Sequence, residues 1–364
     1  MASFLKRGKT WRYKISAKPK DITKSGFKTK KEAQIAAAEM ESKLNQGILP
    51  HLKPKQFDEY FENWIEVYKK NVSELTKLHY QDSLTAVREY FGSRHIQGIT
   101  KSDYQKFIND FGAKRAKETV TKLNRHVRAC VRDAVDERII PFDFTRNVTI
   151  TYTVKAKSPE DKHLNYIDSQ KLQREVYNRL DKGLVHYLIL LAINSGMRYS
   201  EMVGLTRNDF DFKNNTITIN KTWYYKPNVS PGFGPTKNFE NRTIKMNKKV
   251  MTLFNELFDT LPSNIHKLVF YSPKSKNKVI SNRYANDVLR GMLDDLKINR
   301  ITMHGLRHTH ASVLIYKKIS INYVSERLGH KDINTTLGIY THILKEMRQE
   351  DEENTIKLLD NMVG

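Results

Sequence analysis

Between His304 and Tyr340 the chain gathers residue types that together can break a phosphodiester. The stretch reads HGLRHTHASVLIY and, after a short break, VSERLGHKDINTTLGIYTH. His304, Arg307 and His308 crowd one helical turn, His330 follows a Leu-Gly break, and Tyr340 comes ten residues later. Arginine stays charged at any working pH and presents a planar fork of donors that fits phosphate oxygens. Histidine donates a hydrogen bond or moves a proton near neutrality. A tyrosine hydroxyl, with a pKa of about 10 in water, is a nucleophile once its proton is removed or its charge stabilised. A cationic pocket supplies that stabilisation. The set therefore suits attack by tyrosine on a phosphodiester.

Two plainer readings compete. His304 and His308 share a helix face and could be half of a zinc site. Arg307 lies between them, where its charge would repel a metal, and the glutamate of an HExxH motif is missing. A lone tyrosine on a helix is more often core than catalyst, so the case for Tyr340 rests on its companions. These sit upstream, in GLVHYLILLAINSGMRYSEMVGL at 183–205. The run Leu184 to Ile193 is apolar on all sides and predicts a buried helix. Gly196 is its stop signal. Arg198 falls at the break before a second helix, with Ser200 as the expected N-cap, and Glu201 can orient Arg198 through a charge-assisted hydrogen bond.

With MRYSE at 197–201, TKN at 236–238, HGLRH at 304–308, LGH at 328–330 and Tyr340 in GIYTH, the second half of the chain resembles the tyrosine recombinase (phage integrase) family. All five motifs stand in the family's order and rough spacing. The resemblance implies that Arg198, Lys237, His304, Arg307 and His330 surround a scissile DNA phosphate, with Glu201 in support and Tyr340 attacking. It implies a covalent 3′-phosphotyrosyl intermediate, strand exchange through a Holliday junction, and four protomers on DNA. Lys237 is the expected acid for the leaving 5′-oxygen and His304 the expected handler of the tyrosine proton. No metal, nucleotide or other cofactor is expected. The rival readings are a type IB-like DNA topoisomerase with the same chemistry and a catalytically inactive DNA-binding regulator.

The whole-chain balance agrees with a nucleic-acid partner. The 364 residues carry a formal net charge of +23, with a pI near 9.7, which favours a polyanion. No apolar run approaches the roughly 20 residues that span a bilayer, and the first residues lack the apolar core of a signal peptide. A single cysteine, Cys130, excludes an intrachain disulfide and fits a reducing cytosol. No Walker-type glycine loop is present. The expected setting is the cytoplasm of a bacterial host, at the nucleoid, without membrane contact.

The predicted fold is multidomain and mainly α with small β-sheets. Residues 1–53 carry 13 Lys and Arg against 4 acids, a net of +9. TWRYKIS alternates, with Trp11, Tyr13 and Ile15 on one face and Arg12 and Lys14 on the other. SGF at 25–27 marks a turn and a further strand, and Thr29 with Glu32 forms a capping box before an Ala-rich helix ending near Gly47. This small sheet plus helix resembles an arm-site DNA-binding domain, with Arg12, Lys14 and Lys28 as candidate contacts. Residues 54–150 predict a four-helix core-binding domain. Phe57, Tyr60, Phe61, Trp64, Ile65 and Tyr68 form one apolar stripe. A second helix runs from Thr76 to Phe91, and a third starts at the capping box TKSD and ends near Phe111. A fourth spans 117–138, with Val120, Leu123, Val127, Val131 and Val135 facing inward. Lys122, Arg125, Arg128 and Arg132 lie on its other side, a stripe suited to gripping a DNA backbone. Lys77 is a further candidate contact, with Arg88 and Lys101 as helpers.

Residues 151–162, with Pro159, are read as a linker, and 163–345 as a catalytic domain of mixed α/β, mostly helical, character. TITINKTW at 216–223 predicts a strand and NRTIKM at 241–246 a second, placing Lys237 on a hairpin. Helices are expected at 248–259 and 281–296, the latter capped by Ser281. The tail, 346–364, reverses the charge, with six acids against two bases. Ile356, Leu359 and Met362 recur at helical spacing and need a pocket, expected on a neighbouring protomer. An excisionase or a host DNA-bending protein is a further expected partner.

Overall fold

Alternation at the N-terminus produces a three-stranded antiparallel sheet, β1 (Ala2–Arg7), β2 (Thr10–Ile15) and β3 (Ile22–Phe27), in that order. The computed structural model describes residues 2–16, 21–45, 54–156, 158, 160–224, 231–237, 241–334, 336–337, 352, 355–357 and 359–362. The chain divides into two units, residues 1–156 and 157–364. On the inner face of the sheet, Tyr13 and Ile15 are buried with Ala37 of α1 (Lys30–Asn45), and Phe4, Ile22 and Phe27 pack around them. The outer face pairs Leu5 with Arg12 and Ser3 with Lys14. SGF is not a turn opening a strand, as the sequence suggested. It ends β3, where the register shifts between Trp11 and Arg12 and Gly26 takes a positive φ of 101°. Thr29 Oγ1 accepts from the Glu32 N–H at 3.1 Å, but Glu32 answers at the Lys28 N–H (3.0 Å), one residue earlier than a standard capping box.

Four helices follow: α2 (Phe57–Tyr68), α3 (Glu74–Phe91), α4 (Lys101–Gly112) and α5 (Lys117–Asp136). The cap of α3 is Ser73, whose Oγ accepts from the Thr76 N–H, so the helix starts two residues before the predicted Thr76. Thr100 and Asp103 form the predicted capping box. The aromatic stripe of α2 is buried up to Ile65. Tyr68 is exposed, at the helix end, with its hydroxyl donated to Glu137 at 2.9 Å. On α5, Val120, Leu123, Val127 and Val131 are buried, while Val135 is only half-buried. His126, Cys130 and Ala134 complete that inner face instead. Arg88, a predicted DNA helper, is exposed but paired with Asp58 and Glu62, both at 2.9 Å.

The start of the predicted linker is not free. Thr151 Oγ1 donates to Asn109 at 3.0 Å, Thr153 Oγ1 to the Ala113 carbonyl at 2.8 Å, and the Val154 N–H to the Arg115 carbonyl at 3.2 Å. Residues 151–154 thus belong physically to the helical unit.

In the second unit, α6 (Tyr166–Asn178) and α7 (Leu184–Ser195) lead to the short α8 (Tyr199–Val203). Leu188 to Ala192 of α7 are all buried, as a helix apolar on every side requires. TITINKTW forms two strands rather than one: β5 (Thr216–Ile219) joins β4 (Phe210–Asp211) and β8 (Arg242–Lys245), while β6 (Thr222–Tyr224) pairs with β7 (Gly232–Gly234). The break falls at Lys221, whose ammonium is drawn to both Asp209 oxygens at 2.5 and 2.6 Å. Then come α9 (Lys248–Thr260), α10 (Asn282–Asp295), α11 (Met303–Tyr316) and α12 (Ile321–Leu328). Ser281 caps α10 as predicted. Among the described residues no helix is long and apolar enough to cross a membrane.

The 151–154 strap gives a first prediction. A Cβ on Gly112 would overlap the Thr151 carbonyl oxygen. Gly112→Ala should therefore destabilise the helical unit by about 1–3 kcal/mol, read as a lower urea midpoint. Gly98, where a Cβ meets nothing within 4 Å, is the control. Equal midpoints for the two alanine variants would show that the strap is loose.

Candidate active site

Helix ends build the site. α7 stops at Gly196, which takes a left-handed φ of 67° and turns the chain toward α8. The residue at the start of α8 is Arg198, not the predicted cap Ser200. Glu201 Oε2 accepts from the Arg198 backbone N–H at 3.0 Å, closing that helix end from within. Glu201 Oε1 accepts from Arg198 Nη1 at 2.8 Å, and Arg198 Nη2 donates to the Gly329 carbonyl at 2.8 Å. The Arg198 fork is therefore held at both nitrogens. Glu201 has no exposed surface. Burial pushes its pKa up, but hydrogen bonds and charge from Arg242 and Arg198 outweigh this and hold the carboxyl below its usual range.

α11 presents the next groups. Thr302 caps it, accepting from the Gly305 N–H. Arg307, one turn in, is buried and donates Nη1 to the Gly196 carbonyl at 2.8 Å. His304 keeps an exposed face. Surrounding protein, then the charges of Arg307, Arg198 and Lys237, hold its pKa below the usual value. Its ring meets His308 edge to face at 4.8 Å. Among the described residues no group of three or more His, Cys, Asp or Glu is placed to hold a metal.

α12 ends at Gly329, left-handed at φ 68°. The next residue, His330, shares its Nδ1 with Thr336 Oγ1 at 2.7 Å. Burial first, then Arg307, Arg198, Arg242 and His304, lower its pKa to about 4. Lys237 is exposed, in a turn three residues beyond β7, and its charge reaches His304. Arg198, Glu201, His304, Arg307 and His330 thus converge, with Lys237 at the margin. Tyr340 lies outside the described residues.

Three further residues enter the cluster that sequence reasoning did not single out. Arg242 Nη2 donates to Glu201 Oε2 at 2.6 Å and Nη1 to Oε1 at 3.2 Å. His310 is buried, with Nδ1 at 2.9 Å from the Ile193 carbonyl, and Arg327 Nε donates to its Nε2 at 3.0 Å. Burial and Arg327 push the His310 pKa down to about 3. A signal existed for Arg242: in a strand, residues two apart share a face, and Ile244 is apolar. His310 lies three after Arg307, on the same side of α11.

The predicted DNA contacts lie in the first unit. Arg125 and Arg132 are exposed on α5, while Lys122 is half-buried with Nζ 3.3 Å from His79. Arg128 stands 4.0 Å from Asp143, Lys77 2.8 Å from Glu74, and Lys14 2.7 Å from Asp21. Arg12 is half-buried on the outer sheet face, and Lys28 is exposed beyond β3.

Comparison with known proteins agrees with this organisation. The pattern of the phage integrase family matches residues 166–347, that family's N-terminal SAM-like domain matches 56–112, and an arm DNA-binding domain matches 3–44. The integrase of Staphylococcus phage L54a is 26% identical over 351 residues, covering 88% of this chain and 98% of that one. The ICEBs1 integrase of Bacillus subtilis is 22% identical over 355 residues, covering 91% of each. The integrase of transposon Tn1549, solved with a circular intermediate DNA, has a similar fold at TM-score 0.67 and 18% identity, over 79% of this chain and 95% of that one. The XerH recombinase, solved on its difH substrate after cleavage, has a similar fold at TM-score 0.56 and 21% identity, over 80% and 84%. Fold and motifs together define a tyrosine site-specific recombinase. The chain belongs to the phage integrase family.

The neutral histidines carry a pH prediction. His308 and His330 titrate near 4 and His310 near 3 when folded, against about 6.5 unfolded. As pH falls below about 6.5 the unfolded chain takes up protons that the folded one refuses. Stability should therefore be full above that value and fall toward pH 4. The loss is up to about 1.4 kcal/mol per pH unit for buried His310 and smaller for His308 and His330, which solvent partly screens. Urea midpoints of the second unit at pH 7 and pH 5 test this; a midpoint that holds or rises at pH 5 contradicts it.

Proposed function

We propose that this chain integrates and excises a mobile element by cutting and rejoining double-stranded DNA at defined sites. The observation that carries the reading is the convergence of Arg198, Arg307, His304 and His330, with Arg198 and Arg307 fixed by backbone carbonyls and His330 by Thr336. In the reaction, the Tyr340 hydroxyl oxygen bonds to the phosphorus, and the bond from phosphorus to the 5′-oxygen breaks. The tyrosine proton leaves by way of His304, whose lowered pKa keeps a ring nitrogen unprotonated at neutral pH. Lys237 gives a proton to the departing 5′-oxygen. Arg198 and Arg307 stabilise the charge that gathers on the non-bridging oxygens in the transition state. His330 donates a hydrogen bond to the same phosphate. The phosphotyrosyl link keeps the bond energy, so rejoining is the same step reversed.

Two surfaces of the first unit fit DNA. The outer face of the N-terminal sheet carries Arg7, Arg12 and Lys14 among the small hydroxyl residues Ser3, Thr23 and Ser25, a face able to follow an arm-site duplex. On α5, Lys117, Arg125 and Arg132 lie along the exposed side and would grip the core-site backbone. Lys77, Lys14 and Arg128 first have to be drawn from their own carboxylates.

The assembly is read as a tetramer. Ile356, Leu359 and Met362 of the acidic tail are exposed, although their helical spacing marks one apolar face. A neighbouring protomer is the partner that would cover it.

The decisive test uses Tyr340→Phe on a nicked suicide substrate. The variant should bind core-site DNA as the wild type does and trap no covalent adduct, since only the hydroxyl is lost. An adduct formed by the variant would assign the nucleophile elsewhere. A second test removes residues 347–364. Single-site binding should persist while synaptic complexes and recombination are lost. Normal synapsis without the tail would refute the assembly role, and loss of single-site binding would place the tail on its own domain.

A further inference from the structure

We propose that Arg242 and Arg327 are positioning residues for strand cleavage, forming a latch that fixes where Arg198 and His330 stand. The inference rests on the recombinase reading of the site and adds to it two arginines that need touch neither the phosphate nor the nucleophile.

The contacts close a ring. Arg198 Nη1 bonds Glu201 Oε1, and Glu201 bonds both terminal nitrogens of Arg242. Arg242 Nε donates to the Arg327 carbonyl at 3.0 Å. Two residues on, the Gly329 carbonyl accepts from Arg198 Nη2. The ring joins the start of α8, the first residue of β8 and the end of α12. Its fit is tight at Gly329: a Cβ there would stand 2.8 Å from Arg242 Nη1, at a φ that disfavours side chains.

The Arg327 side chain anchors the far side. It donates Nη1 to the Lys245 carbonyl at 2.8 Å, Nη2 to the Asn194 carbonyl at 3.1 Å and Nε to His310. One residue thereby ties α12 to β8, to the end of α7 and to α11. Its position in the chain is three residues before His330. β8 also begins five residues after Lys237, so the same latch fixes the base of the segment that carries the proposed acid.

The electrostatic role of Arg242 follows from sharing. Two arginines divide one buried carboxylate, so the Arg198 side chain donates a single hydrogen bond to Glu201 and keeps Nη2 turned to Gly329. Without Arg242, the whole charge of Glu201 faces Arg198. The Arg198 fork would then rotate into a two-pronged pair with Glu201, away from the phosphate. A displacement near 1 Å at a reacting group costs on the order of 100-fold in rate.

The test is single-turnover cleavage by the full chain on a suicide core-site duplex at saturating protein, with DNA affinity and thermal midpoint measured alongside. Arg242→Met should lower the cleavage rate by about 100-fold with DNA affinity within a few-fold of wild type. Arg242→Lys, which restores the charge but not the fork, should recover part of that rate. In a double-mutant cycle, Arg242→Met combined with Glu201→Gln should lose no more than the worse single variant, because the first acts through the second. Losses that multiply, or an Arg242→Met protein that cleaves at the wild-type rate, overturn the proposal. Should Arg242→Met fail to fold, the same cycle with Arg242→Lys decides by the same criterion. Arg327→Gln should slow cleavage without weakening DNA binding; an unchanged rate removes Arg327 from the latch. If the wild type itself traps no adduct on any duplex, the recombinase reading fails rather than the latch.

Discussion

Several positive side chains must share one small space before any DNA arrives, and the rest of the second unit answers to that constraint. Arg198, Arg242, Arg307 and Arg327 all point into the region between α7, α11 and α12. Glu201 is a carboxylate that two of them share. Much of the compensation comes from backbone oxygens. A helix leaves its last four carbonyls without partners in the helix and carries partial negative charge at that end. Here the end of α7 turns the carbonyls of Ile193, Asn194 and Gly196 toward His310, Arg327 and Arg307. The end of α12 turns those of Arg327 and Gly329 toward Arg242 and Arg198. Two glycines with left-handed backbones make both turns possible. The fold stabilises its cations with helix ends, which leaves acidic side chains out of the place where a phosphate has to sit.

The histidines follow the same logic. Each sits among arginines, and each is held neutral by burial and by those charges. A neutral ring adds no repulsion to the cluster and keeps one nitrogen able to accept. For His310 the two bonds define the tautomer: Nδ1 carries the proton toward the Ile193 carbonyl, and Nε2 accepts from Arg327. That ring is a neutral bridge between a carbonyl and a guanidinium, buried in the unit. His304 also has its pKa lowered by burial and neighbouring charge but keeps an exposed face, which His310 lacks.

Much of this was legible in the sequence, and the parts that were not have a common cause. Gly196, Glu201 and the LGH break were readable because their chemistry or backbone needs are local, and Arg307 was readable from the HGLRH motif that carries it. The helices were readable from their apolar periodicity, and the small N-terminal sheet from alternation. Arg242, Arg327 and His310 escaped because their partners lie 41, 82 and 117 residues away in the chain. The same cause explains other departures. Lys221 splits a strand because Asp209 captures it, and Arg88, though exposed, is held by Asp58 and Glu62. At Arg198 the expected serine cap lost to Glu201, which reaches back three residues and satisfies the backbone and the guanidinium together. Local rules named serine as the better cap; the ion pair that the site needs overrode them.

A site arranged this way is costly to hold together when empty, and that cost is part of its chemistry. Charges packed at fixed positions need little rearrangement when a phosphate enters, so their attraction for the transition state is not spent on reorienting side chains. Arg307 illustrates the point: it is buried and fixed to the Gly196 carbonyl. Lys237 is the opposite case, exposed in a turn beyond β7, with its charge felt by His304. On the proposed mechanism, the rigid groups would define where the phosphorus lies and the exposed one would reach the oxygen that leaves. Positive charge is thereby held at the ends of α7 and α12, while Lys237 stands exposed in its turn.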